Sequence, residues 1–381
     1  MNGTQAEIRI LRVGSRPTDR HPGMGLALLK LCQSDHFVTS FYSFASSTDE
    51  TFVNHSNTKT TSHYLPFYNP TMPKRRQGLR FWCLQFVRLL AIAWYYLHFM
   101  FRARNENPDI VHIHNPMFIG VAMWGRLKGA KTCLTIHGTD FSRLSESSLI
   151  RSFLSIVDSV LCVAEKHQKA MRDWFPEKSI HLVSNGVDTK EPLEYSLPLE
   201  SRNMTILSVG SLRWHKDHAT LIDAFAQLAE QYPEWKLVIL GEGPKRAELT
   251  EQINRLGLAD RIALPGVVDR RELFEQLGRA SVFILSSVTE GLPKALLEGM
   301  AAGCACIATD VGDCRRVLDD NGIIVNVSNA GGITDALATY LDNTELRMDK
   351  GRSAQKRSQE FSWKVYRDTH EYIYRNLLKK S

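Results

Sequence analysis

The stretch EGLPKALLEGMAAG, residues 290–303, sets two glutamates eight positions apart, Glu290 and Glu298. On one continuous helix they would stand about 80° apart in projection and about 12 Å apart along the axis, too far for a paired-carboxylate site. Pro293 suits the first helical position, where its missing N–H would have no partner anyway. Glu290 then lies in the loop ahead of the helix and Glu298 inside it. Helical side chains lean toward the N-terminus, so Glu298 reaches back toward the mouth of that loop. Two carboxylates at different depths suit a ligand with two hydroxyl-bearing rings, because a carboxylate accepts charge-assisted hydrogen bonds from a vicinal diol. The spacing equally allows Glu290 to complement the helix dipole and Glu298 to be a solvated face residue. A second cluster, Arg213, His215 and Lys216 in VGSLRWHKDHATLIDAF, crowds cations ahead of another helical pattern. It reads either as an anion site aided by helix-terminal amides or as a solvated basic loop.

These loops need sheets behind them. Short apolar runs occur at 8–15, 36–44, 109–115, 131–138, 159–164 and 179–186. A second series follows at 204–211, 235–243, 261–266, 281–287, 304–309 and 322–327. Helical patterns separate them, and many runs are unbroken, which implies parallel strands covered on both faces. The polar stretch 188–203 has two prolines and no helical period, so it is the expected linker. The expected architecture is α/β, two doubly wound Rossmann-like domains (1–187 and 204–360), with a C-terminal helix in 361–381 that packs back on the first domain. Ligands of such sheets bind beyond the carboxyl ends of the strands, so two such edges would face each other across a cleft.

At 381 residues, 43% hydrophobic and 23% charged, the chain reads as a soluble globular protein of two domains. Its net charge of +6 is uneven: basic residues exceed acidic ones by nine over 1–187, and acidic exceed basic by three over 188–381. An anionic surface or ligand facing the first half is the expected counterpart. Seven cysteines without framework spacing argue for a reducing compartment. Cys304 and Cys306 fall in an apolar run and read as core. The first residues lack the apolar stretch of a signal peptide, so a cytoplasmic location is expected. The glycines of LGEGP (240–244) and LPGVV (264–268) form no GxGxxG fingerprint, and no DxD motif occurs.

Taken together, VGSLRWHKD, LGEGP, LPGVV, SSVTEGLPKALLEGMAAG, IHGTDF and NGVD resemble the GT-B glycosyltransferases of family 4, retaining enzymes that use nucleotide-sugar donors. The motifs come in family order and at family spacing over nearly the whole chain. The resemblance implies that Glu298 holds the donor ribose and that Glu290 contacts the hydroxyls of the transferred hexose, with the amides of Gly291 and Leu292. It implies that Lys216 neutralises the diphosphate within the Gly210–Ser211 loop, and that Gly266 and Val267 frame the base. His137, with Asp140 close by, would stand beside the transferred sugar. The expected catalytic set is therefore His137, Glu290, Lys216 and Arg213, with no nucleophile or base role given to Glu290. Two departures stand out. The family's arginine after the glycine of VG is Ser211 here, and Arg213 is a conjectural replacement. The N-terminal glycine loop is reduced to Gly23 and Gly25, taken as an acceptor or phosphate loop.

The implied chemistry stabilises a departing diphosphate with cations and amides rather than a metal, so no cofactor and no metal are expected beyond the nucleotide-sugar co-substrate. The expected acceptor is a saccharide or polyprenyl-linked glycan of cell-surface polysaccharide or glycolipid synthesis, with UDP as the donor nucleotide and no nucleic-acid partner. A nucleotide-sugar epimerase or phosphorylase on the same fold, or a non-catalytic sugar-nucleotide-binding protein, remain open as alternatives.

Segment 74–104, KRRQGLRFWCLQFVRLLAIAWYYLHFMFRAR, carries seven basic residues and no acid. Trp82, Phe86, Leu90, Trp94, Leu97 and Phe101 fall on one helical side, and Arg80, Arg88, Tyr95 and Arg102 on the other. Residues 79–101 are long enough to span a bilayer, yet Arg88 near the centre would cost about 2.5–3.5 kcal/mol. A helix lying in an anionic membrane interface is the favoured reading, on the inner face of the plasma membrane. The competing one is that the apolar side covers the first domain's sheet.

Overall fold

The computed structural model describes residues 8–15, 27–28, 30–31, 37–45, 60–66, 79–137, 141, 151–152 and 154–379. Each apolar run named above contains a strand. The first unit holds β1 (Ile8–Ser15), β2 (Phe37–Ala45), β3 (Thr60–Pro66), β4 (Ile110–Ile113), β5 (Lys131–Ile136), β6 (Ser159–Cys162) and β7 (Ser179–Leu182). The second holds β8 (Asn203–Val209), β9 (Lys236–Leu240), β10 (Ile262–Gly266), β11 (Ala280–Leu285), β12 (Ala305–Thr309) and β13 (Gly322–Val325). Both sheets are parallel, with orders β3-β2-β1-β4-β5-β6-β7 and β10-β9-β8-β11-β12-β13. Strand order therefore reverses between β1 and β4, and again between β8 and β11.

The unbroken apolar runs are the central strands: every residue of β4, β6, β11 and β12 is buried. Strand β3, TTSHYLP, is the one that sequence reading misses. It is an edge strand with a single neighbour, so it needs no continuous apolar run. Among the helices, α1 (Leu79–Arg102) and α2 (Gly120–Leu127) belong to the first unit. The second has α3 (His218–Ala226), α4 (Arg270–Arg279) and α5 (Lys294–Ala301), and α6 (Trp363–Lys379) closes the chain. Leu221, Ile222 and Phe225 of α3 cover one face of the second sheet, and Leu296, Leu297 and Met300 of α5 cover the other. Each such side chain contributes about 1.5–3 kcal/mol by burial. Gly299 lets α5 lie directly on β11, because a Cβ there would come within 2.6 Å of the Phe283 ring.

The units are Met1–Val183 with Arg367–Ser381, and Ser184–Tyr366. Residues 188–203 are thus part of the second unit and not a linker between domains. Their polar composition hides specific anchoring: Leu197 N donates to Gly278 O (3.0 Å) and Ser196 Oγ to Ala302 O (3.2 Å). In the first unit, Tyr374 of α6 accepts from the buried Arg12 Nη1 (2.8 Å) and stands 2.6 Å from His112 Nδ1. Burial holds the His112 and His114 imidazoles well below the usual histidine range.

Helix α1 corrects the expected faces. Phe86, Leu90, Trp94, Leu97 and Phe101 are more than half exposed. The sheet side is instead lined by Tyr95 and Phe99, with Ala91, Ile92 and Tyr96 partly buried beside them. Tyr95, assigned from sequence to the polar side, is fully buried, its ring 4.3 Å from that of Phe118. The most apolar stripe is therefore not the one that packs. The side chains of Arg80, Trp82 and Arg88 lie outside the described residues. Among the described residues, no helix is long and apolar enough to cross a membrane.

Candidate active site

The second unit's site grows from the loops that follow β8 and β11, on either side of the strand-order reversal. The β8 loop is shaped by glycines. Gly210 leaves room for the Lys216 side chain, whose Cγ, Cδ and Cε would lie 3.3–3.5 Å from a Cβ at that position. Gly241, at φ +149°, sits where a Cβ would overlap the Gly210 carbonyl oxygen. Arg213 opens a 3-10 turn, Trp214–Lys216, and Asp217 (φ 48°) reverses the chain into α3. Asp217 is held by Thr220 Oγ1 (2.9 Å) and Ser328 Oγ (2.8 Å).

Three contacts stitch this loop to the β11 loop. Val288 N donates to His215 O (2.9 Å), Ser286 Oγ donates to Lys216 O (2.9 Å), and Lys216 Nζ pairs with Glu290 Oε1 at 2.5 Å. Ser287 Oγ donates to the same carboxylate oxygen at 2.7 Å. The Lys216 and Glu290 side chains are only 18% and 14% exposed, so solvent screens the pair poorly. Among the described residues, neither the Gly291 nor the Leu292 amide donates a hydrogen bond. Gly312, at φ +53°, backs this loop against the Glu290 and Gly291 carbonyls.

Glu298 keeps different company. Pro293 is the residue before α5 rather than its first, and Glu298 lies one turn beyond Lys294 on the helix. Burial pushes the Glu298 carboxyl up to about 7, against the pull of Arg270 and Lys294, while Asp188 and Glu191 add to the rise. Arg270, at the start of α4, pairs with Glu191 (2.8 Å) and Asp188 (3.7 Å). Lys294 Nζ is out of solvent and makes no hydrogen bond. The two glutamates thus belong to separate charge clusters, as their spacing demands.

A raised carboxyl pKa has a defined sign. Folded Glu298 retains its proton to about pH 7, whereas an unfolded carboxyl releases it near 4.5. Stability from this group is present at acidic pH and lost as pH rises through about 7. Glu298→Gln is therefore expected to raise Tm at pH 8 and leave it nearly unchanged at pH 4, as read by thermal melts across pH.

Of the remaining expected residues, Arg213 is exposed, and its guanidinium pairs with no carboxylate among the described residues. Ser211 follows Gly210 and is partly exposed. Gly266 has φ +99° and accepts from Gly241 N (2.8 Å); Val267 beside it is 79% exposed. In the first unit, His137 is buried at the end of β5, within electrostatic range of the buried His112 and His114 imidazoles. Gly14, at the end of β1, makes room for His114, whose Cβ would lie 2.9 Å from a Cβ on residue 14. Gly23, Gly25 and Asp140 lie outside the described residues. Sequence reading misses Ser286, Ser287, Arg270 and Lys294. The serines end an apolar strand and look like ordinary strand-exit polar residues.

Two family models match consecutive halves of the chain: Glycosyltransferase Family 4 over residues 31–191 and Glycosyl transferases group 1 over residues 190–357. The chain belongs to the family 4 glycosyltransferases. Among similar proteins is the N-acetylgalactosamine-N,N'-diacetylbacillosaminyl-diphospho-undecaprenol 4-alpha-N-acetylgalactosaminyltransferase of Campylobacter jejuni. It is 28% identical, covering 76% of this chain and 82% of that protein. The N-acetyl-alpha-D-glucosaminyl L-malate synthase of Bacillus anthracis is 27% identical, over 73% and 77% respectively. A glycosyltransferase from Rickettsia africae superposes with a TM-score of 0.70 at 18% identity, covering 99% of this chain and 100% of that one. The Anabaena protein HepE, in complex with UDP and glucose, gives 0.68 at 16%, over 97% and 100%. These two establish the shared two-domain GT-B fold. In this family 4 glycosyltransferase, the only ion pair joining the loops after β8 and β11 among the described residues is Lys216–Glu290.

Proposed function

We propose that this glycosyltransferase moves a sugar, with retention of anomeric configuration, from a nucleoside diphosphate sugar to a saccharide or polyprenyl-linked acceptor. The observation that carries this reading is the Lys216–Glu290 pair at the strand-order reversal of the second sheet. There a cation for the diphosphate stands against a carboxylate for sugar hydroxyls. Glu298 takes the ribose, Gly291 and Leu292 offer amides to the sugar, and Gly266 and Val267 border the base. Arg213 supplies a second cation in place of the arginine absent at Ser211. UDP is the proposed donor nucleotide; solved structures of the same fold hold it. A metal is not required by this scheme, because fixed cations and amides meet the developing charge. The acceptor class is supported by the Campylobacter relative, whose name specifies a diphospho-undecaprenol substrate.

The proposed workplace is an anionic membrane surface, on the cytoplasmic side, in cell-surface polysaccharide or glycolipid synthesis. The α1 face of Phe86, Leu90, Trp94, Leu97 and Phe101 has no protein cover among the described residues. Exposed Met123 and Leu127 of α2 add to it, and Lys128 Nζ ties the end of α2 to Arg104 O (2.8 Å). Arg102, Arg104, Arg126 and Lys128 supply exposed positive charge at that end. Aromatic anchors flanked by cations suit a helix lying in a headgroup layer.

A thermal-shift screen of nucleotide sugars tests the donor, since a tight ligand raises apparent stability by mass action. Flat melting curves with every nucleotide sugar would count against the reading. Liposome co-sedimentation tests the surface. Leu90→Glu or Trp94→Glu is expected to weaken binding to anionic vesicles about tenfold each, with Tm unchanged because both side chains are exposed. Equal sedimentation of native and variant chains would remove α1 as the docking helix.

A further inference from the structure

Glu290 Oε1 receives both the Lys216 ammonium at 2.5 Å and the Ser287 hydroxyl at 2.7 Å. The loops carrying them are joined independently through His215 O and Lys216 O. The carboxylate is therefore fixed beside the cation by the protein itself. An anionic oxygen hydrogen-bonded to Nζ at about 2.8 Å must then lie within about 5 Å of Glu290. With both side chains largely out of solvent, like charges at that range repel strongly. At its diphosphate end a nucleoside diphosphate brings negative charge and no hydrogen-bond donor for the carboxylate, its ribose hydroxyls lying on the far side toward Glu298 in the proposed pose. A nucleoside diphosphate sugar brings hydroxyls that donate to it.

We propose that Glu290 discriminates against the spent nucleotide: its carboxylate, fixed beside Lys216 by Ser287, disfavours a nucleoside diphosphate that lacks its sugar and so speeds release of that product. This rests on the reading that Lys216 meets the donor diphosphate. One effect opposes it, because Glu290 also holds the lysine in a single rotamer, which would favour any anion. Gly210 makes that effect the smaller one. The Lys216 stem already lies along the space left by the missing Cβ, 3.3–3.5 Å from where it would be, so its direction does not depend on the carboxylate.

The two effects have opposite signs, which makes the test decisive. Isothermal titration of the full chain with UDP, GDP and ADP compares native protein, Glu290→Gln and Lys216→Gln. Glutamine keeps the size of Glu290 and an acceptor for Ser287 while removing the charge. The nucleotide that binds best is expected to bind Glu290→Gln about tenfold more tightly than native, and Lys216→Gln more weakly. Equal or weaker binding to Glu290→Gln overturns product discrimination. Unchanged binding to Lys216→Gln, or no nucleotide binding to the native chain, overturns the diphosphate reading beneath it.

Discussion

Lys216→Met is expected to lower kcat/KM for sugar transfer about 10²–10³-fold, the range for removing one preorganised charge-stabilising group. In the proposed transfer the departing diphosphate gains negative charge as the glycosidic bond breaks, and a fixed ammonium in a poorly solvated site would meet it without reorganisation. Methionine preserves the stem that Gly210 accommodates, so the change removes charge rather than packing. It also strands Glu290, with only the Ser287 hydroxyl left on Oε1. Steady-state kinetics with the donor found by the thermal screen would read the loss. A drop in kcat/KM of less than threefold would mean that Lys216 is not the diphosphate cation.

Gly241→Ala is the second large effect, and it acts through the scaffold. At φ +149° an L-residue is strained, and the new Cβ would sit on the Gly210 carbonyl oxygen, a backbone atom that cannot rotate away. Gly210 is fixed in turn by the hydrogen bond its N–H donates to Leu240 O (2.9 Å). Relief requires the loops after β8 and β9 to separate, which displaces the Lys216 turn. A loss of about 3 kcal/mol or more in stability is expected, with donor binding lost in whatever fraction stays folded. Urea unfolding of the variant measures the first part. A stability within about 0.5 kcal/mol of native would show that the loops part without strain.

Much of this was readable from residue order. The apolar runs of β4, β6, β11 and β12 announced buried parallel strands, because a strand covered on both faces has no solvent side to keep polar. The EGLPKALLEGMAAG spacing already separated Glu290 from Glu298, and Pro293 marked the loop-to-helix change to within one residue. Strand β3 was unreadable because an edge strand with one neighbour can be polar. The partners of Glu290 were hidden for a different reason: Ser287 and Lys216 are brought to it by the pairing of β8 with β11, which no local pattern encodes. Arg270 pairs with Asp188 and Glu191, and puts its charge near Glu298, in the same way, across elements far apart in sequence.

Helix α1 shows where pattern and packing part. Phe86, Leu90, Trp94, Leu97 and Phe101 of the apolar stripe stay exposed, while the tertiary structure buries the neighbouring stripe of Tyr95 and Phe99 against Tyr42, Phe118 and Trp124. Aromatic rings with matching cavities outcompete a merely more apolar face. What remains exposed is a surface that water alone does not explain.

In the proposed reaction a sugar passes from a nucleoside diphosphate to an acceptor at the Lys216–Glu290 site. Its most direct test supplies radiolabelled nucleotide sugars and polyprenyl-diphosphate-linked glycans to the native chain, Lys216→Met and Glu290→Ala. Label is expected to appear on an acceptor with native protein and to fall at least a hundredfold with Lys216→Met, with Glu290→Ala also impaired. Equal labelling by all three proteins, or donor conversion that proceeds identically without any acceptor, would contradict the account.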